Sequence, residues 1–247
     1  MRDPDPAGGT GDHAPTDPGN PDHGGPDQSG PDQSGPDQST PDHGNPDHST
    51  PDHDTTAPAH DPAYVQAGHD LAERTHTHLV ELDSGTKGNW THELYHKNVE
   101  ANTTYSIDGG KYLFQTDEHA RVVHAEGHLH TVVDAADRAR HNGQQVKAGG
   151  VDRQWFDDGG HFFGTVFGGP GEGVNITAQW SHLNRGSFRD LESSWADTID
   201  EGGAVHVEID VKYPGESLRP EAYTVYHQVD GTPEWIRTPF DNGPPAK

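Results

Sequence analysis

The stretch from Asp157 to Trp195 carries His161, Asn175, Gln179, Asn184 and Glu192, residue types whose spacing suits metal-assisted cleavage of a phosphodiester. Such cleavage needs a water activated for in-line attack, charge dispersed from the nonbridging oxygens, and help for the departing oxygen. Histidine answers the first need, because its ordinary pKa leaves the ring neutral and basic near pH 7. A divalent cation answers the other two as Lewis acid and template.

His161 is the candidate general base. It follows Gly159-Gly160, where a phosphate can approach the backbone closely, and it heads an apolar run, Phe162–Phe167, that can hold its rotamer. Asn184 is the candidate metal ligand, since an amide oxygen is a hard neutral donor suited to Mg²⁺. Glu192 lies two helical turns further on, where its carboxylate can orient the ion's water. Asn175 and Gln179 flank a Gly/Pro-rich turn and are suited to positioning substrate or bracing the site. Arg185 and Arg189 are placed to hold a nonbridging phosphate oxygen, and Asp158 joins them as a supporting residue. Each has a plainer reading as well: a strand-start histidine, a helix cap, a loop amide, a solvated helix charge paired with Arg189.

The elements that must carry these residues follow from pattern. His161–Phe167 reads as a buried strand closed by the breaker cluster Gly168-Gly169-Pro170-Gly171. Ser187 is the expected cap of a helix in which Phe188, Leu191, Trp195 and Ile199 form one apolar stripe, ended by Gly202-Gly203. Val205–Tyr213 and Ala222–Val229 read as paired antiparallel strands. Upstream, residues 67–82 suggest a helix, Lys111–Gln115 and Arg121–His128 a hairpin around Thr116–Ala120, and Asp134–Arg140 a short helix or turn.

Composition bounds what the chain does with these groups. Of a formal net charge of −25 over 247 residues, residues 1–62 carry −12, thirteen Asp against Arg2, which leaves −13 for 63–247. Broad phosphate neutralisation needs clustered Lys and Arg and is excluded as the binding mode; one phosphate gripped beside a cation is not. With no cysteine and twenty histidines, the fold rests on its core without disulfides or thiolate metal sites. From Pro21 to Thr55 a five-residue repeat runs PDHGG, PDQSG, PDQSG, PDQST, PDHGN, PDHST, PDHDT. Nearly free of apolar side chains, it is expected to be a disordered, extended linker of at most about 110 Å. Residues 1–30 hold no apolar core of a secretory signal peptide, so any export is expected to use a route other than a classical leader, and no stretch suggests a membrane span.

Beyond these residue-level readings, the chain from about 105 to 242 resembles the DNA/RNA non-specific endonuclease family, in the subgroup found as toxin domains of bacterial polymorphic and secreted effectors. The matching segments are TDEHARV (116–122), a divergent RHNGQQ (140–145), DDGGHFFGTVFGGPGEGVN (157–175), ITAQ (176–179), LNRGSFRDLESSWA (183–196) and YPGESLRPEAYTVYHQVDG (213–231). The resemblance implies an α+β fold with a ββα-metal, or His-Me finger, site on an antiparallel sheet, in a domain spanning 63–247 behind the linker at 1–62. It implies cleavage of DNA and of RNA, Mg²⁺ as cofactor with Mn²⁺ as substitute, and a 5′-phosphate product. It casts His161 as general base, Asn184 as direct metal ligand, Glu192 as holder of metal-bound water, and Asn175 with Gln179 as polar supports. An immunity protein is the partner that a toxin of this subgroup implies.

The chain departs from the family pattern at Gly159, where many relatives carry a phosphate-contacting arginine, at His141, where Asn is expected, and at Gly143, where an aromatic is common. The missing arginine, the acidity and the twenty histidines leave a second reading open: a non-catalytic, His-rich module on a degenerate nuclease fold that binds metal or a protein partner.

Overall fold

The computed structural model describes residues 61–134, 138 and 140–244. The five-residue repeat, and with it nearly all of the expected linker, lies outside the described residues, as does most of the Asp134–Arg140 run.

Helix α1 spans Pro62–Thr75, so it begins one residue before the expected domain boundary and earlier than the helix read at 67–82. Its start is encoded locally: the Asp61 side chain accepts from the Ala63 N–H at 2.8 Å, and Pro62 occupies the first turn, where its missing donor costs nothing. It ends at His76 in the left-handed conformation, and residues 78–82, expected as helix, instead form strand β1, His78–Leu82. That segment lies partly buried at the sheet edge, where pairing in parallel with residues 103–107 overrides the helical reading.

Seven strands then make one sheet in the order β1-β2-β3-β4-β7-β8-β9, with β2 Thr103–Ile107, β3 Tyr112–Thr116, β4 Val122–Leu129, β7 Val205–Lys212, β8 Ala222–Val229 and β9 Ile236–Asp241. Only β1–β2 is parallel; every other neighbour is antiparallel, including the expected hairpin β3–β4 and the expected pair β7–β8. Strict alternation sets the faces. Val205, Val207, Ile209 and Val211 are buried inward, while 206, 208, 210 and 212 point away.

A two-stranded ribbon lies against the inward face: β5, Asp157–His161, paired antiparallel with β6, Ile176–Trp180. Two further helices follow it, the short α3, Ser181–Arg185, and α4, Ser187–Asp200; a one-turn helix, α2, Asn142–Gln145, precedes it. The core fills the space between sheet and ribbon. Tyr105, Ile107, Tyr112, Phe114 and Val207 meet Phe162, Phe163, Phe167, Phe188 and Trp195, all nearly solvent-free. Gly127 on β4 is what lets the layers close: a Cβ there would stand 2.7 Å from the Phe163 ring. On the opposite face α1 packs over β2 and β3, with Gly68 against Ser106 and Leu113.

Two expectations are corrected, one about the ribbon and one about α4. His161 ends a strand rather than heading one, because Asp157–His161 pairs with β6 whereas Phe162 and Phe163 leave the ladder to plug the core, and Thr165–Phe167 is a 3-10 turn. Ser187 does not cap α4; it is the first helical residue, Gly186 holds the cap position, and no side chain caps it there. The apolar stripe of α4 is buried as expected at Phe188, Trp195 and Ile199, with Leu191 half-buried at its margin.

Candidate active site

The end of β5, α3 and the first turns of α4 enclose a cavity of about 510 Å³. His161, Asn184, Arg185, Arg189 and Glu192 line it together, joined by Arg138, Arg140, Gln145, Thr165 and Ser193. Asn175, Gln179 and Asp158 stand outside it. A larger cavity of about 580 Å³, lined by His96, Lys97, Gln144, Val174 and Leu218 among others, brings together none of the predicted residues.

Antiparallel pairing places Asp158 opposite Gln179 and Gly160 opposite Thr177, so the ribbon's polar residues sit over α3. Asp158 organises that helix. Its carboxylate accepts from Asn184 Nδ2 at 3.0 Å and from both Nε and Nη2 of Arg185 at 2.8 and 2.6 Å, a forked ion pair that holds Asp158 below the usual carboxylate range. With its nitrogen occupied, Asn184 is left with Oδ1 as its remaining acceptor, and that oxygen lies beside Gly160. A Cβ at position 160 would press on Asn184 Oδ1 at 3.0 Å and run into Gln179 Oε1. Glycine at 160 therefore keeps open the approach between His161's strand and the amide oxygen of Asn184.

His161 is half-buried as a residue, but its Nε2 is closed from solvent and has no hydrogen-bond partner among the described residues. Burial, aided by the positive charge of Arg140, lowers its pKa to about 4, so the ring is neutral at pH 7. Glu192 moves the other way. Burial raises it to about 7, only partly offset by the Gly164 N–H and by Arg189. An imidazole and a carboxylate in one cavity are thus pushed in opposite directions, each toward its neutral form, as expected of groups held ready for a charged ligand.

Asn175 is a brace. It is fully buried; its Oδ1 accepts from the Phe163 N–H at 3.0 Å, and its Nδ2 donates to the carbonyls of Phe163 and Pro170, both at 2.8 Å. It ties the Gly/Pro loop to the backbone just after His161. Gln179 is equally buried, but its Oε1 has no partner among the described residues. Arg185 is spoken for by Asp158 and its side chain is 71% exposed, which leaves Arg140 and Arg189 as the cavity's other candidates for a phosphate oxygen, with Arg138 turned to the Val133 carbonyl at 3.0 Å.

Sequence reasoning overlooked Arg140, whose Nε lies 3.4 Å from Thr165 Oγ1 on the cavity wall. Its position at the head of RHNGQQ was the available signal. It also overlooked Arg219, which reaches Asp157 on β5 with two bonds of 2.7 and 2.8 Å and anchors the ribbon from 62 residues away. The departures at His141 and Gly143 lie on a neighbouring wall, where His141 Nε2 is 3.0 Å from Tyr95 Oη and its ring packs against Trp90 at 4.9 Å.

Comparison with known proteins adds the following. The sequence pattern of the family described as DNA/RNA non-specific endonuclease matches residues 101–231. The type VII secretion system protein EssD of Staphylococcus aureus (strain USA300) is 30% identical over 170 residues, 64% of this chain, and the chain spans 27% of that relative's length. The probable deoxyribonuclease RhsA of Dickeya dadantii (strain 3937) is 40% identical over 73 residues, 30% of this chain and 5% of that protein. A solved structure of the Sda1 nuclease with bound zinc ion aligns with 53% of this chain and 75% of its own, at 14% identity and a TM-score of 0.39.

Proposed function

The chain belongs to the DNA/RNA non-specific endonuclease family, and on that premise we propose that it hydrolyses phosphodiester bonds of DNA and RNA at the His161 cavity, with Mg²⁺ held by Asn184. The observation that carries this reading is the pairing inside one cavity of a neutral, desolvated imidazole with an amide oxygen whose nitrogen is already committed to Asp158. Hard oxygen donors in small number are what Mg²⁺ takes from a protein, and Asn184 Oδ1 would provide one, with the Glu192 carboxylate placed to hold the ion's water; Mn²⁺ would accept the same set. When bound, the ion would disperse charge from the phosphate and from the departing 3′ oxygen.

The rest belongs to the chain. His161, unprotonated at pH 7, accepts the proton of the attacking water, and an anionic phosphate entering the cavity raises its pKa and so strengthens it as a base. Glu192, lifted to about 7, would be held as a full carboxylate beside a bound cation. Arg140 takes the place of the arginine missing at Gly159: it faces His161 closely enough to depress its pKa, and it contacts the phosphate with Arg189 as second donor. Asn175 holds the frame, and Gln179, its Oε1 beside Gly160, is the polar support next to Asn184. The sugar is ignored because every group acts on the phosphate.

Similarity to a type VII secretion system protein and to a probable deoxyribonuclease supports a role as a delivered bacterial nuclease; an immunity protein that silences it in the producing cell is the partner this reading implies. Among the described residues no helix is long and apolar enough to cross a membrane. The decisive experiment is nicking of plasmid DNA and digestion of RNA by wild type, His161→Ala and Asn184→Ala across a Mg²⁺ series. Metal-dependent cleavage lost in both variants is the expected result; intact substrates with micromolar wild type at every Mg²⁺ concentration would overturn the reading.

A further inference from the structure

On the sheet face turned away from the cavity, β4 and β7 bring Glu126, His128 and His206 together. The two histidines are directly paired across the ladder, and their rings stack at 4.3 Å. Both Nε2 atoms address the same carboxylate oxygen: Glu126 Oε1 lies 2.8 Å from His206 and 3.8 Å from His128. The three candidate ligand atoms all fall within 4.8 Å of one another. Their side chains are only 12%, 19% and 21% exposed, in a molecule whose other histidine–acid pair across these strands, His124–Asp210, leaves its acid 57% exposed.

The pocket is also built from outside. Tyr64 of α1 stacks on His128 at 4.1 Å with its ring nearly parallel, and Trp235 stands edge-on to His206 at 5.0 Å. Aromatic walls on both flanks fix the imidazole planes, which an ordinary surface ion pair does not require.

We propose that Glu126, His128 and His206 form a binding site for Zn²⁺ or a similar borderline divalent ion, distinct from the Mg²⁺ cavity and separated from it by the sheet. Two imidazoles and one carboxylate are a donor set that Zn²⁺ accepts, with a water in the fourth position. A tetrahedral ion with bonds of about 2.0–2.1 Å spaces its ligands roughly 3.4 Å apart, between the two Nε2–Oε1 separations seen here, so small side-chain movements complete the site. Coordination uses an unprotonated ring nitrogen of each histidine, so acid should weaken binding. Bound there, the ion clamps β4 to β7 at the centre of the seven-stranded sheet and leaves the chemistry of the other face to Mg²⁺. The inference does not rest on the nuclease reading.

The test uses the full chain, stripped with chelator and dialysed against Zn²⁺, as wild type, as the double variant His128→Asn/His206→Asn, and as Glu126→Gln. The remaining histidines contribute the same weak background to every sample. Wild type should hold one more tight equivalent than the double variant, Glu126→Gln should bind that equivalent at least about tenfold more weakly, and Co²⁺ in wild type should show the visible bands of a four-coordinate ion. His161→Ala and Asn184→Ala should keep the equivalent. Unchanged Zn²⁺ stoichiometry and affinity in both the double variant and Glu126→Gln would overturn the proposal. Glu126→Gln is nearly isosteric and decides the matter if the double variant does not fold. Loss of nicking in every sample would count against the nuclease alone.

Discussion

Two carboxamides, Asn175 and Asn184, flank the ribbon strand β6 on either side and have been finished differently. Around Asn175 the side-chain oxygen and nitrogen are matched to backbone groups, three bonds of 2.8 to 3.0 Å in a solvent-free setting. Around Asn184 only the nitrogen is committed, and the neighbouring polar atoms, His161 Nε2 and Gln179 Oε1, are left unmatched among the described residues. Buried polar groups are almost always satisfied, so a cluster that is not has been kept that way at a cost in stability. Saturation marks Asn175 as a brace, whereas Asn184 turns an uncommitted oxygen toward the strand that carries His161.

The contrast predicts opposite outcomes for neighbouring substitutions. His161→Ala should reduce nicking by about 10²–10⁴-fold with little loss of thermal stability, as measured by initial rates on supercoiled plasmid and by calorimetry. Asn175→Ala should do the reverse in kind, lowering stability by about 3 kcal/mol in urea unfolding, because it strands buried backbone groups of Phe163 and Pro170. Equal stability losses in the two variants would erase the distinction.

A pH series sharpens it. The unfolded ring of His161 takes up a proton near pH 6.5 and the folded ring only near 4, so its contribution to stability is complete above 6.5 and is lost as pH falls through that window. His96 and His128 are lowered by burial to about 4 as well, while Glu192, raised to about 7, acts with the opposite sign. Comparing wild type with His161→Asn in chelator isolates one group: the variant should lose about 1–3 kcal/mol less between pH 6.5 and 4. Parallel curves would show that the imidazole is not desolvated. The smallest effect is expected at the cavity rim, where Arg140→Ala should weaken cleavage about tenfold, mainly through KM, and Arg185→Ala, its charge already engaged by Asp158, should affect KM less.

Much of this was legible in the sequence, because local signals agreed with the tertiary ones. The β7–β8 alternation and the Phe188–Ile199 stripe needed no partner to be read. The ribbon was harder. Its strand Asp157–His161 is polar and glycine-rich, and it exists because β6 pairs with it and Arg219 neutralises Asp157, contacts that join residues far apart in the chain. Periodicity therefore pointed instead to the apolar Phe162–Phe167, which is core but not strand. At α1 the Asp61-Pro62 start was present and passed over, and the edge strand β1 was absorbed into a helix that its neighbour β2 does not allow. For the site, residue type and spacing named the cavity's main side chains; which amide was brace and which was exposed to the cavity depended on hydrogen bonds that spacing cannot encode.

The forked grip of Arg185 on Asp158 has one more consequence. Because the same carboxylate also receives Asn184 Nδ2, it sets the sense in which that amide points and makes an acid at 184 an unwelcome isostere: its second oxygen would face Asp158 where a donor now stands. The position is thereby reserved for a neutral side chain, which would grip a cation less tightly than a carboxylate would.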